Sequence, residues 1–84
     1  MSLRDWDAFV AMAQLHDRRV NTSHTNGRHP SVYICEGGMS RHVTWDEDEY
    51  RPFCTWIYSD GTKSVKWAEG EPLDWLIWLF RPQS

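Results

Sequence analysis

Residues 53 to 67, FCTWIYSDGTKSVKW, carry the signal that decides the fold: β-branched and aromatic residues on both sides of an Asp60-Gly61 pair. Asp-Gly accepts the positive φ of a tight hairpin turn, and the flanking residues suit a pleated, half-buried surface. A two-residue turn pairs Trp56 with Val65 and Cys54 with Trp67 on one face, leaving Thr55, Ile57, Ser64 and Lys66 on the other. The tryptophan face is then expected to pack inward. The preceding stretch repeats the pattern, with Ser31 to Glu36 and Met39 to Trp45 flanking Gly37-Gly38. This spacing predicts Val32 opposite Val43 and Ile34 opposite Arg41 on a core face. Tyr33 opposite His42 and Cys35 opposite Ser40 then lie on the other face.

Between the hairpins, Asp46-Glu47-Asp48-Glu49-Tyr50-Arg51-Pro52 is an acidic corner. Pro52 cannot donate to a ladder and is expected to break the sheet there. Residues 21 to 30, NTSHTNGRHP, hold no aliphatic residue and read as an exposed loop around the turn pair Asn26-Gly27. Upstream, Leu3, Trp6, Phe9, Val10, Ala13 and His16 fall on one face of a helix, and Val20 continues the stripe. That face is expected to enter the core, while Met12 and Leu15 fall outside it. Ser2 and Asp5 supply a start resembling a capping box, and Asn21 is placed to close the helix in a left-handed conformation.

At the far end, Glu71-Pro72 opens a short helix, because proline at the first position gives up only a donor already without a partner. Leu73, Leu76, Ile77 and Phe80 form one stripe on it, and Trp75, Trp78 and Leu79 a second. One stripe meets the sheet and the other needs a separate cover. The expected architecture is α+β: an N-terminal helix, an antiparallel sheet of two hairpins with about four strands, and a short C-terminal helix, in one domain over residues 1 to 84. Trp45, Trp56, Trp67 and Trp78 recur every 11 residues, but their contexts share nothing, so there is no repeat.

An 84-residue chain has room for one modest core. Six Trp, three Tyr and three Phe are a heavy aromatic load for it. Each ring can bury about 150 to 250 Å², so some indole surface is expected to be left over. The formal charge of −3 divides into +1 for residues 1 to 45 and −4 for residues 46 to 84. An acidic chain without a clustered basic face repels phosphate backbones, which argues against general nucleic-acid binding.

Two Cys outside any CxxC spacing read as reduced thiols of a cytoplasmic protein. Arg4, Asp5 and Asp7 interrupt what would have to be the apolar stretch of a signal peptide. Asn21-Thr22-Ser23 therefore reads as a polar helix end and not as a glycosylation site. The apolar run Trp75 to Phe80 is far shorter than the roughly 20 residues needed to cross a bilayer.

Zinc binding, Cys/His catalysis and calcium binding each have candidate residues in this chain. His16, His24, His29, His42, Cys35 and Cys54 are zinc-ligand types, but their spacing does not preform a tetrahedron, so no metal or cofactor is expected. The predicted register makes Cys35 and His42 diagonal neighbours, yet nothing nearby supplies a third orienting group or oxyanion donors, so no catalysis is expected. Four consecutive acids lack the alternating ligands and central glycine of a calcium loop.

What remains is a binding reading. Trp75, Trp78 and Leu79 on the second helix stripe, with the acidic corner Asp46, Glu47, Asp48, Glu49 and Tyr50, are the expected contact residues for a protein partner or a second copy of the chain. The expected role is a small non-catalytic inhibitor or adaptor occupying a basic site on a nucleic-acid-handling protein. Small phage and mobile-element proteins, anti-CRISPR proteins among them, have this size and charge; the analogy extends no further. The alternative is a nucleic-acid-binding sheet that stacks Tyr33, Trp56 or Trp67 on bases and meets phosphates with Arg18, Arg19, Arg28, Lys63 and Lys66.

Overall fold

The computed structural model describes residues 3–17, 19–25 and 29–81, and the side chains of all of these except 3, 23–25, 29 and 30. Helix α1 (Leu3–His16) is followed by strands β1 (Asn21–Thr25), β2 (His29–Glu36), β3 (Met39–Asp46), β4 (Arg51–Ile57) and β5 (Lys63–Trp67), and by helix α2 (Pro72–Leu79). The strands form one antiparallel meander in the order β1-β2-β3-β4-β5, so the fold is α+β with one strand more than expected.

The central hairpin pairs as its sequence predicts: Val32 opposite Val43, Ile34 opposite Arg41, Tyr33 opposite His42 and Cys35 opposite Ser40. Gly37 and Gly38 take φ of 61° and 79°, the positive values that a two-residue turn twisted with its strands requires. Other expectations are corrected.

The segment read as a loop contains β1, whose Asn21–Thr25 pairs with Tyr33 through His29. It has no apolar alternation because an edge strand can be held by its backbone ladder alone. Asn21 therefore starts a strand instead of closing α1, which ends at His16. The pair Asn26-Gly27 lies outside the described residues, as do Ser2, Arg18 and Arg28.

Nor does the sheet break at Pro52, which pairs with Trp45 inside β4 and is fully buried. The Pro52 carbonyl accepts from Ala68 N–H at 3.0 Å. A strand residue points its N and O to the same side, so the donorless nitrogen faces the end of β5 and no ladder bond to β3 is lost.

The third correction is the register of β4 and β5. Tyr58 N–H donates to Thr62 O and Gly61 N–H to Tyr58 O, each at 2.9 Å, so three residues, Ser59 to Gly61, form the loop. Gly61 has φ of 90°, which a three-residue hairpin with a glycine bulge requires. Phe53 then pairs with Trp67, Cys54 with Lys66, Thr55 with Val65 and Trp56 with Ser64. A shift of one residue moves every side chain of β5 to the opposite face. Trp67 and Val65 face away from the helices, not inward.

Both helices cover the Val32/Val43 face. The core contains Trp6, Phe9 and Ala13 of α1, Val32, Ile34, Val43, Trp45 and Cys54 of the sheet, and Trp75 and Leu79 of α2. Ring contacts fix the helix directions: Trp6 to Trp45 at 5.9 Å, Phe9 to Trp75 at 5.6 Å and His16 to Phe80 at 4.4 Å. The helices therefore run side by side in the same sense, from the β3–β4 turn toward the β2–β3 turn. His16, expected on the core face, is exposed at the last residue of α1 and meets the Phe80 ring at a tilt of 57°. Leu15 is fully exposed in all but a tenth of its surface, at 89%.

Glu71 caps α2 with Pro72 in the first turn, and Asp74 accepts the Glu71 N–H at 2.8 Å. At its other end Arg41, reaching up from β3, donates to the carbonyls of Trp78, at 3.0 Å, and Arg81. A cation at the carbonyl end of a helix is favoured by the helix dipole.

Candidate functional site

The α2 stripe expected to meet a partner is the one that enters the core. Trp75 and Leu79 are 1% and 2% exposed, and Trp78 is half-buried with its ring 5.9 Å from the Arg41 guanidinium. Leu73 and Ile77 of the other stripe are the exposed pair. The assignment of Trp75 and Leu79 as contact residues is corrected on this ground: both stripes have helical period, and the larger aromatic payload went inward. Trp6 and Trp45 are buried as well, and Trp56 is half-buried beneath Arg41, whose guanidinium lies 4.4 Å from its ring.

The exposed indole is Trp67, at 38%. It stands on the helix-free face of β5 with Val65, which is 62% exposed, and against the edge of Phe53 at 6.3 Å. Arg51 lies flat over the indole at 3.7 Å. Asp46, Phe53, Val65, Lys66 and Trp67 line a shallow groove of about 380 Å³. In register terms the Thr44–Phe53–Trp67 row lies next to the Asp46–Arg51 row, so this shelf ends at the acidic β3–β4 turn.

That turn is ordered by its own first residue. Asp46 Oδ1 accepts the N–H groups of Asp48 and Glu49 at 2.9 and 3.2 Å, an Asx turn that lets the chain reverse within four residues. Tyr50 completes the reversal at φ 57° and sets its half-exposed ring edge-on to Trp45 at 5.1 Å. Glu47, Asp48 and Glu49 are left exposed. Of the expected contact residues, Glu47, Asp48, Glu49 and Tyr50 are exposed and Asp46 is half-buried, while Trp75 and Leu79 are buried and Trp67 and Val65 are exposed in their stead. Ser59 before Asp60-Gly61 allows a three-residue loop, and that reading would have turned Trp67 outward.

Comparison with protein-family models, curated proteins and solved structures finds no match to this chain.

Tyr33 and His42 stack across the helix-free face, with centroids 5.0 Å apart and planes 18° from parallel. His42 Nε2 lies 2.9 Å from Ser40 Oγ. Burial, with a smaller contribution from the Lys63 charge, lowers the His42 pKa. Cys35, opposite Ser40, is exposed, and Cys54 is buried with its thiol pushed up to about 11 by desolvation; both are free. A thiol with so high a pKa is a poor nucleophile at neutral pH. Among the described residues no three His, Cys, Asp or Glu side chains are grouped to hold a metal ion, and no helix is long and apolar enough to cross a membrane.

Proposed function

We propose that the chain is a non-catalytic protein-binding module, an inhibitor or adaptor whose contact surface is the Trp67 shelf with the acidic β3–β4 turn. The observation that carries this reading is adjacency: the exposed tryptophan and the exposed carboxylates of Glu47, Asp48 and Glu49 lie at one end of one sheet face. Exposed aromatic anchors beside a polar charged rim are the usual anatomy of a hot spot. The carboxylates select a basic partner surface and speed encounter, while Trp67 and Val65 supply apolar area. A basic site of this kind belongs to proteins that handle nucleic acid, in the manner of the small phage and mobile-element inhibitors, anti-CRISPR proteins among them. The two free thiols suit a reducing cytoplasm.

A second reading is favoured by Tyr33 and Trp67 standing on the same open face with Lys63 and Arg51: single-stranded nucleic acid stacked on the sheet. Of its other stacking candidates, Trp56 is on the helix side. The two readings separate in one titration of tryptophan fluorescence with a Lys/Leu peptide and with a single-stranded oligonucleotide at rising salt. The protein-binding reading expects the peptide to perturb the native chain and to lose its effect in Trp67→Phe and Glu47→Lys. Oligonucleotide binding that falls steeply with salt, with no response to the peptide, would replace it by the second reading.

A further inference from the structure

The end of the sheet away from the Trp67 shelf carries a chemically different opening. A cleft of about 410 Å³ lies between the Gly37-Gly38 turn and the end of α2, lined by Arg19, Arg41 and Arg81 and by the apolar side chains of Ile34, Leu79 and Phe80. Three of the nine cationic Lys and Arg side chains of a chain with net charge −3 converge here.

Arg19 is already committed. It lies 2.8 Å from Asp17 and 3.1 Å from Glu36, and its hydrogen bonds hold the Asp17 carboxyl down to about 2. Arg41 and Arg81 differ: among the described residues neither has a carboxylate within ion-pair distance. Arg41 is 5% exposed, and its Nε is buried without a hydrogen-bond partner among the described residues. Its other contacts are two carbonyls and the rings of Trp56 and Trp78, with no carboxylate within ion-pair distance among the described residues. Burial, the larger cause, and the neighbouring Arg81 charge lower its pKa, and the Glu36 charge partly offsets them.

We propose that this cleft binds a small organic carboxylate, with the head group beside Arg41 and Arg81 and the apolar tail on Ile34, Leu79 and Phe80. A guanidinium fork matches a carboxylate in shape and charge. An opening of a few hundred Å³ with apolar walls and few charged groups is the usual form of a small-molecule site. The apolar wall selects against inorganic anions, which gain nothing from burial against it. The Glu36 carboxylate also lines the cleft but is paired with Arg19 at 3.1 Å, which keeps the net attraction to a single negative head group. This site lies at the opposite end of the sheet from the proposed protein-binding surface, so either can fail without the other.

The test follows arginine side-chain N–H resonances of the whole chain during titration with octanoate and, separately, inorganic phosphate. Native protein is expected to show saturable octanoate shifts at Arg41 Nε, weakened about tenfold or more by Arg81→Gln, an exposed position, and unchanged by Arg4→Gln on α1. Phosphate is expected to bind about tenfold more weakly than octanoate. Absence of saturable shifts in the native chain, or equal octanoate binding by native and Arg81→Gln proteins, overturns the site. Phosphate binding as tight as octanoate binding overturns the assignment of its ligand.

Discussion

Arg41 joins three parts of the molecule through one side chain: it belongs to β3, covers the Trp56 ring of β4 and donates to the carbonyls at the end of α2. Arg41→Leu keeps much of the bulk and removes the donors, leaving partly buried carbonyls unsatisfied. It is expected to lower unfolding stability by about 1 to 3 kcal/mol in urea titration. An unchanged midpoint would mean that water replaces the guanidinium without cost. The tryptophans separate in the same way. Trp75→Ala opens a cavity in the core and is expected to cost about 3 to 5 kcal/mol. Trp67→Ala removes an exposed ring held mainly by Arg51 and is expected to cost about 1 kcal/mol or less. His42 makes stability depend on pH. Its folded pKa is depressed below the ordinary value of 6.5, so the unfolded chain binds the proton more tightly. Its contribution is complete above about 6.5 and is lost as pH falls from there through the lowered folded value. Urea midpoints of native and His42→Phe proteins should therefore diverge in slope below that pH, the native chain falling faster. Parallel profiles would remove His42 from the acid response.

At the scale of elements, the two outer strands have one free edge each, and every residue of β5 is exposed. Amide hydrogen exchange is expected to be slowest in β2, β3 and β4, which are paired on both sides, and fastest in β1 and β5. Equal protection across the sheet would point to an edge covered by another chain. The Gly61 bulge sets which face β5 presents, so Gly61→Ala forces a side chain into φ of 90° and is expected to cost about 1 kcal/mol or more. These elements also show where the sequence is legible. The Gly37-Gly38 hairpin and the Glu71-Pro72 start of α2 are written in turn chemistry and formed as read, and apolar period placed Trp6, Phe9 and Ala13 of α1 in the core although the helix ends at His16, short of Asn21. β1 escaped because backbone pairing at an edge leaves no apolar trace in NTSHT. The β4–β5 register escaped because Asp60-Gly61 serves a two-residue and a three-residue turn equally well, and one residue decides the face. The α2 stripes escaped because a helix apolar nearly all round has no face that periodicity can select.

For the whole molecule, burial of Trp6, Trp45 and Trp75 uses half of the six indoles, so the expectation of surplus indole surface survives mainly at one ring, Trp67. The acidic turn was legible because consecutive acids cannot be buried; its neighbour on the shelf was hidden by the register. Together they give the molecule two ends with opposite character, carboxylates beside Trp67 and guanidiniums beside the end of α2. If the acidic turn steers association, Glu47→Lys with Asp48→Lys should slow the on-rate at low salt and matter less at high salt. An on-rate indifferent to both would remove the turn from recognition. The most direct measurement is the affinity of the immobilised chain for the Lys/Leu peptide in native, Trp67→Ala and Leu73→Ala forms, each with its melting temperature. Trp67→Ala is expected to weaken binding about tenfold or more with the melting temperature nearly unchanged, while Leu73→Ala binds as the native chain does. Native affinity in Trp67→Ala, with the loss appearing in Leu73→Ala, would move the contact surface from the sheet to α2 and contradict the account.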